Sequence, residues 1–199
     1  MRFILKLIIC VLLALGVGTA YLAMRSGDTF YTAHELLSPQ RFQQYDPLIR
    51  AVAEQNNIDP MLVKAVVWQE SRFDPLKFGG AGERGLMQVS EIAAVEWAKE
   101  NRVADFRPEE LFDPKVNLQA GTWYLARAMQ RWRKQADPVP FALAEYNAGA
   151  SRAQRWAGGD NDTVIPPKQF RENIDFPTTK NYVETITDRF EFYKQRGRM

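Results

Sequence analysis

A single carboxylate stands where a long apolar stretch turns polar. Residues 61–68 read Met-Leu-Val-Lys-Ala-Val-Val-Trp, and Gln69, Glu70 and Ser71 follow. At helical spacing such a run leaves almost no polar face, so the spacing predicts a helix buried nearly all round. An ionised carboxylate at its end is costly unless compensated. Glu70 therefore tends toward the protonated form, and a raised pKa is what a general acid near neutral pH needs. A structural, capped or ion-paired glutamate fits the same pattern, because Glu is common at helix ends. Behind the helix comes a glycine-rich loop, residues 79–88, Gly-Gly-Ala-Gly-Glu-Arg-Gly-Leu-Met-Gln, which returns toward Glu70 with Gln88. Helix end and loop together make a frame for acid–base chemistry.

Other chemistries are poorly supplied. The chain has one histidine, His34, and one cysteine, Cys10. That leaves no Ser-His or Cys-His activation of a nucleophile and no imidazole–thiolate metal cluster. No Asp-rich calcium loop is visible, and neither a metal nor a cofactor is expected. The formal net charge of +2 provides no broad basic field, so nucleic acid is not an expected partner. With 46% apolar and 25% charged residues, 199 residues suffice for one domain with a sizeable core plus a leader.

The elements that must position Glu70 are mostly helical. Asp46-Pro47, Asp59-Pro60 and Asp113-Pro114 each place an N-cap before a proline suited to the first helical position. The first helix would turn Leu48, Ile49, Val52 and Ala53 to one side. A helix over residues 90–100 would bury Ile92, Val95 and Trp97. From Pro114, Leu118, Thr122, Leu125, Met129 and Trp132 recur at three and four, and Gly121 between them marks a close helix contact. Residues 141–148 form a shorter helix stopped by Gly149. Residues 158–168 read as an exposed loop, and Tyr182, Val183, Ile186, Phe190 and Tyr193 form the inner face of a last helix. Alternating strand signal is almost absent. The expected fold is mainly α, a single compact helical domain over residues 46–199 with at most a small sheet near 76–88.

Ahead of it, Arg2 and Lys6 precede an apolar run from Leu7 to Met24, the pattern of an export signal. Gly18 and Ala20 suit cleavage after Ala20. The apolar character continues past that point, which favours an uncleaved N-terminal helix anchoring the chain in a membrane, with its basic end inside. Ile9 before Cys10 is too large for a lipoprotein signal. Residues 1–24 are thus read as signal peptide or signal anchor and 25–45 as a tether, with His34 a solvated tether residue.

Several segments, in order, resemble the lytic transglycosylase catalytic domain of the soluble-lytic-transglycosylase type, related in fold to goose-type lysozyme. They are Val67 to Ser71 with Phe73 and Pro75, Gly82 to Gln88, Asp113-Pro114 with Asn117, Gly121 and Tyr124-Leu125, then Tyr146 to Gly149, and Thr179 to Val183. The resemblance covers about residues 47–195 and implies an α+β lysozyme-like domain acting on peptidoglycan glycan strands. Glu70 would be the single catalytic acid and base for the bond between N-acetylmuramic acid and N-acetylglucosamine, closing a 1,6-anhydro ring without water. It also implies that Tyr146 hydrogen-bonds near Glu70, and that Ser71, Gln88 and Asn147 position the carboxylate or the sugar. With the leader, it implies a periplasmic catalytic domain anchored in the inner membrane.

Read from the residues themselves, Ser71 is a helix-end hydroxyl, Gln88 a loop-closing amide, Tyr146 a core phenol and Asn147 a helix C-cap. Glu83 and Glu145 are solvated or ion-paired side chains unless one approaches Glu70. Trp123 and Trp132 follow the helix period as core residues, whereas Trp156 could stack on a sugar. The chain also departs from the family's pattern. Gly79 stands where a sugar-contacting serine is frequent, Ser90-Glu91 where Met-Pro is frequent, and Thr178-Thr179 where the closing helix usually starts Glu-Thr. Two alternatives remain open at this point: a muramidase that hydrolyses the same bond, and a non-catalytic peptidoglycan-binding scaffold.

Overall fold

The computed structural model describes residues 2–25, 38–160 and 162–197, which fall into two compact units, Met1–Gln44 and Tyr45–Met199. In the first, α1 spans Arg2–Arg25 and α2 spans Pro39–Gln43. The side chains of α1 are described at 4–18, 20 and 21, and these are exposed. Among the described residues no helix is long and apolar enough to cross a membrane. Of the apolar run from Leu7 to Met24, the side chains at 19 and 22–24 lie outside the described ones. His34 and most of the expected tether lie outside the described residues as well.

The regular elements described in the second unit are helices. α3 covers Asp46–Gln55 and α4 covers Pro60–Ser71. Asp59 caps α4 as the sequence predicts, its carboxylate accepting from Met61 N at 2.8 Å. Asp46 does not cap. It lies inside α3, and its carboxylate pairs with the buried Lys64 of α4 at 2.7 Å. A lysine in an otherwise apolar buried helix must find a carboxylate, and that requirement overrides the cap. From Leu62 to Trp68 every α4 residue is buried.

α5, Glu91–Glu100, corrects the expected inward face. Ile92 is 84% exposed and Val95 52% exposed, while Ala93, Ala94, Trp97 and Ala98 are buried. Small alanines let this helix lie close against α6, Pro114–Arg131, and Trp97 packs edge-on at 5.9 Å against Phe106 in the segment between the two helices. A 3-10 turn, Pro108–Phe112, precedes α6, which Asp113 caps through Lys115 N and Val116 N. Leu118, Thr122, Leu125 and Trp132 are buried as expected.

α7 spans Val139–Ala148 and stops at Gly149, whose φ of 88° suits glycine. Two short helices then appear that the sequence pattern left as loop or unassigned, α8 at Ala150–Trp156 and α9 at Pro167–Asn173. The last helix, α10 at Pro177–Arg196, buries Tyr182, Val183, Ile186, Phe190 and Tyr193. It packs on both α4 and α7, and α7 packs on α6. In place of a small sheet, the described residues show only two isolated antiparallel bridges, Phe78 with Arg84 and Arg84 with Val89.

Candidate active site

Glu70 sits one residue before the end of α4. The chain then turns sharply: Arg72 (φ 54°) and Phe73 (φ 62°) both occupy the left-handed region, which for non-glycine residues costs of order 1 kcal/mol or more each. Burial of Phe73 and stacking of Arg72 on Trp68, at 3.6 Å to the ring centre, offset that cost. The turn leaves Glu70 at a cleft of about 640 Å³.

One wall is the loop that follows. It closes on itself through Gly79 N to Glu83 O at 2.7 Å, Gly85 N to Lys77 O at 2.9 Å, and the reciprocal pair of Arg84 and Val89. Gln88, at φ 46°, donates its side-chain amide to Lys77 O and Gly85 O, both at 3.0 Å. The loop is fastened to the helices by Asn117, fully buried on α6. Its Oδ1 accepts from Met87 N at 2.8 Å, and its Nδ2 donates to Arg84 O at 2.7 Å and Leu111 O at 2.8 Å. Two glycines make this approach possible. A Cβ on Gly85 would lie 2.3 Å from Asn117 Nδ2, and one on Gly121 would lie 2.6 Å from Met87 Sδ. The expected close contact at Gly121 is therefore with the loop and not with another helix. Lys77 Nζ donates to the backbone carbonyl of Glu70 and ties the loop to the acid's own helix end.

The other wall comes from α6, α7 and α10. Tyr182 Oη donates to Glu70 Oε1 at 2.6 Å, joining residues 112 positions apart. Tyr146, expected to hydrogen-bond near Glu70, donates to Met87 O at 2.9 Å and stacks edge-on against Tyr124. Burial, and next the charge of Glu70, hold both phenols well above their ordinary pKa, so they serve as neutral donors. Asn147 Oδ1 accepts from Thr179 Oγ1 at 2.8 Å, which links the end of α7 to the start of α10.

Burial pushes the Glu70 carboxyl up from 4.5 to about 7. The Tyr182 hydrogen bond and Lys77 pull it down, Glu83 pushes it up, and Arg72 pulls it down. The residue still has surface open to the cleft, so it is surrounded by protein yet reachable. Near neutral pH such a carboxyl populates both forms, and can give a proton and later take one back.

Of the sequence-expected site residues, Glu70, Gln88, Tyr146 and Asn147 line the cleft. Ser71 does not: it is buried, and its hydroxyl donates back to Val67 O at 3.3 Å. Tyr182 is the residue that sequence reasoning placed only in the core, although it stands within the Thr179–Val183 segment that resembles the family. Glu145 is buried at a distance from this chemistry, paired with Arg131 at 3.0 Å and accepting from Trp132 Nε1 at 2.8 Å. Trp156 is also core, its indole donating to Asp175 at 2.8 Å. Glu83 lines the cleft. Ser90 caps α5 through Ala93 N at 3.3 Å, and Glu91 pairs with Arg84 at 3.6 Å. Among the described residues no group of His, Cys, Asp and Glu is arranged to hold a metal ion.

Residues 47–165 match the transglycosylase SLT domain. The chain is 36% identical over 112 residues to membrane-bound lytic murein transglycosylase F of Desulfosudis oleivorans, covering 55% of this chain and 23% of that protein. It is 30% identical over 151 residues to the soluble lytic murein transglycosylase of Salmonella typhimurium, covering 75% of this chain and 23% of that one. Among solved structures, the 70 kDa soluble lytic transglycosylase of Escherichia coli superposes with a TM-score of 0.69 at 28% identity, over 76% of this chain and 24% of the other. The complex of the 70 kDa soluble lytic transglycosylase with bulgecin A gives 0.71 at 27% identity, over 80% of this chain and 25% of the other. The chain thus spans about a quarter of the length of these relatives.

Proposed function

This chain belongs to the transglycosylase SLT domain family, and we propose that it is a peptidoglycan lytic transglycosylase working in the cell envelope. The observation that carries the reading is Glu70, a cleft carboxyl whose pKa is raised to about 7 and whose Oε1 accepts from a phenol.

With Oε1 engaged by Tyr182, the transferable proton rides on Oε2. Glu70 protonates the glycosidic oxygen between N-acetylmuramic acid and N-acetylglucosamine, and the C1–O bond breaks through an oxocarbenium-like state. The carboxylate that remains is stabilised by the Tyr182 hydroxyl and by Lys77. It then takes the proton from the muramic C6 hydroxyl as that oxygen attacks C1, which closes the 1,6-anhydro ring and restores the acid. One carboxyl suffices because no water has to be activated. Gln88, Tyr146 and Asn147 line the cleft around this centre and hold the sugars, whereas Ser71 serves through the helix end.

The chain is exported, and residues 7–24 hold it in the membrane with the domain on the outer side. Protease treatment of spheroplasts checks this by degrading the domain while leaving cytosolic markers intact. Mass spectrometry of muropeptides from digested sacculi tests the chemistry. Anhydro-muramic ends are expected, and reducing muramic ends alone would reject the reaction in favour of hydrolysis.

A further inference from the structure

The loop wall carries groups that the proton transfers above leave unused. Gly79 has no side chain, and the space one would fill is already taken. An ideal Cβ there would lie 2.3 Å from Glu83 Oε2 and 2.9 Å from Gln88 Oε1. Two acceptor oxygens therefore crowd over one backbone position in the cleft.

Both are held in place. The Gln88 amide nitrogen is committed to Lys77 O and Gly85 O, which turns Oε1 toward Gly79. Glu83 Oε2 accepts from Ala81 N at 3.1 Å, and the Glu83 carbonyl accepts from Gly79 N at 2.7 Å. Next to them Phe78 is 62% exposed in the cleft, with Phe112 stacked on it at 6.5 Å.

The side-chain oxygens over Gly79 accept hydrogen bonds, so the group they recognise must bring donors. An ammonium is disfavoured, because Lys77 already places a cation in the same cleft. Neutral hydroxyl and amide N–H donors remain, and an exposed aromatic face beside them suits the C–H face of a sugar ring. Resting on the peptidoglycan reading, we infer that Glu83, seated in the space Gly79 leaves, is a substrate-specificity residue. With Gln88 it accepts from hydroxyl and acetamido N–H groups of the glycan while Phe78 underlies the ring. Glycine at 79 is then the condition for Glu83 to hold this place.

The test uses the full chain carrying Glu70→Gln, so that ligand is bound without turnover. The probe is a peptide-free tetrasaccharide of alternating N-acetylglucosamine and N-acetylmuramic acid, titrated by calorimetry. Adding Glu83→Ala weakens binding about tenfold, the effect of one hydrogen bond to a charged group. Gly79→Ala gives a similar loss, because its Cβ displaces the flexible end of Glu83 without adding a polar group, and Glu83→Gln, which keeps an acceptor oxygen, loses less. Should Glu83→Ala fail to fold, Gly79→Ala carries the test. Unchanged affinity in the folded variants overturns the role of Glu83 alone. No binding by the Glu70→Gln chain itself overturns the glycan reading, and this inference with it.

Discussion

On the helix side of the cleft, Thr179 and Tyr182 are buried, Tyr146 and Tyr182 are fixed by hydrogen bonds of 2.9 and 2.6 Å, and the contacts join segments far apart in the chain. On the loop side, Lys77, Phe78 and Gly80 are exposed, and Glu83 and Gln88 are held chiefly by backbone groups of the same loop. The difference separates two tasks. Burial by the helices and a phenol donor set the protonation of Glu70, which needs rigidity and a dry environment. The loop, fastened by the buried Asn117 together with Lys77 and Tyr146, turns exposed side chains to the cleft, and Gly79 falls on this side.

If the helix side exists to tune one acid, removing that acid gives the largest effect. Glu70→Gln should lower anhydro-muropeptide release by about a thousandfold, within the usual range for a general acid–base group. A variant that digests sacculi at the parental rate would remove Glu70 from the mechanism. The same substitution should alter stability in a pH-dependent way. The folded carboxyl has a pKa of about 7 against an ordinary 4.5, so the folded state binds the proton more tightly. Below pH 4.5 both states are protonated and the carboxyl contributes fully. As pH rises through 7 that contribution is lost, a change of up to about 3 kcal/mol. Glu70→Gln should therefore exceed the parent in stability at pH 8 and match it near pH 4, as read by chemical denaturation.

The fastening between the two sides comes next. Asn117→Ala removes three buried hydrogen bonds and leaves Met87 N, Arg84 O and Leu111 O without that partner. A loss of roughly 3 kcal/mol is expected in urea unfolding. If the loop were held mainly by its own backbone bonds, the loss would stay below about 1 kcal/mol.

How far the sequence reveals each side follows the same division. The buried α4, its acid and the glycine loop could all be read from apolar runs and turn residues, because those signals are local. Which phenol reaches Glu70 could not: Tyr146 and Tyr182 both lie near the site, and only the packing of α10 on α4 decides between them. α5 shows another limit. Periodicity directs Ile92 and Val95 inward, but the close approach of α6 selects alanines. Asp46 pairs instead of capping, and its cue is local as well: Lys64 interrupts an apolar run, and a buried ammonium requires a carboxylate.

A smaller effect is expected on removing the phenol alone. In Tyr182→Phe the carboxylate form of Glu70 loses its hydrogen bond, so the acid's pKa rises above about 7 and the alkaline limb of kcat/KM moves up. The rate should also fall about tenfold, because the base in the second half of the reaction loses its support. A limb that stays in place would mean that another donor takes over.

The smallest effects probe the loop side through the same limb, and their signs are opposed. Burial is the main cause of the raised Glu70 pKa, with Lys77 lowering it and Glu83 raising it more weakly. Lys77→Met should therefore move the alkaline limb of kcat/KM to higher pH, and Glu83→Gln should move it to lower pH, because each removes one charge while burial and the Tyr182 bond stay in place. Arg72 adds a further cation and belongs to the acid's own helix end, so it is common to both variants. Both shifts should shrink in high salt, since Lys77 is exposed and Glu83 only half-buried, whereas the Tyr182→Phe shift should persist. Shifts of the same sign, or a Tyr182→Phe shift as salt-sensitive as the other two, would show that the two sides of the cleft do not divide the work in this way.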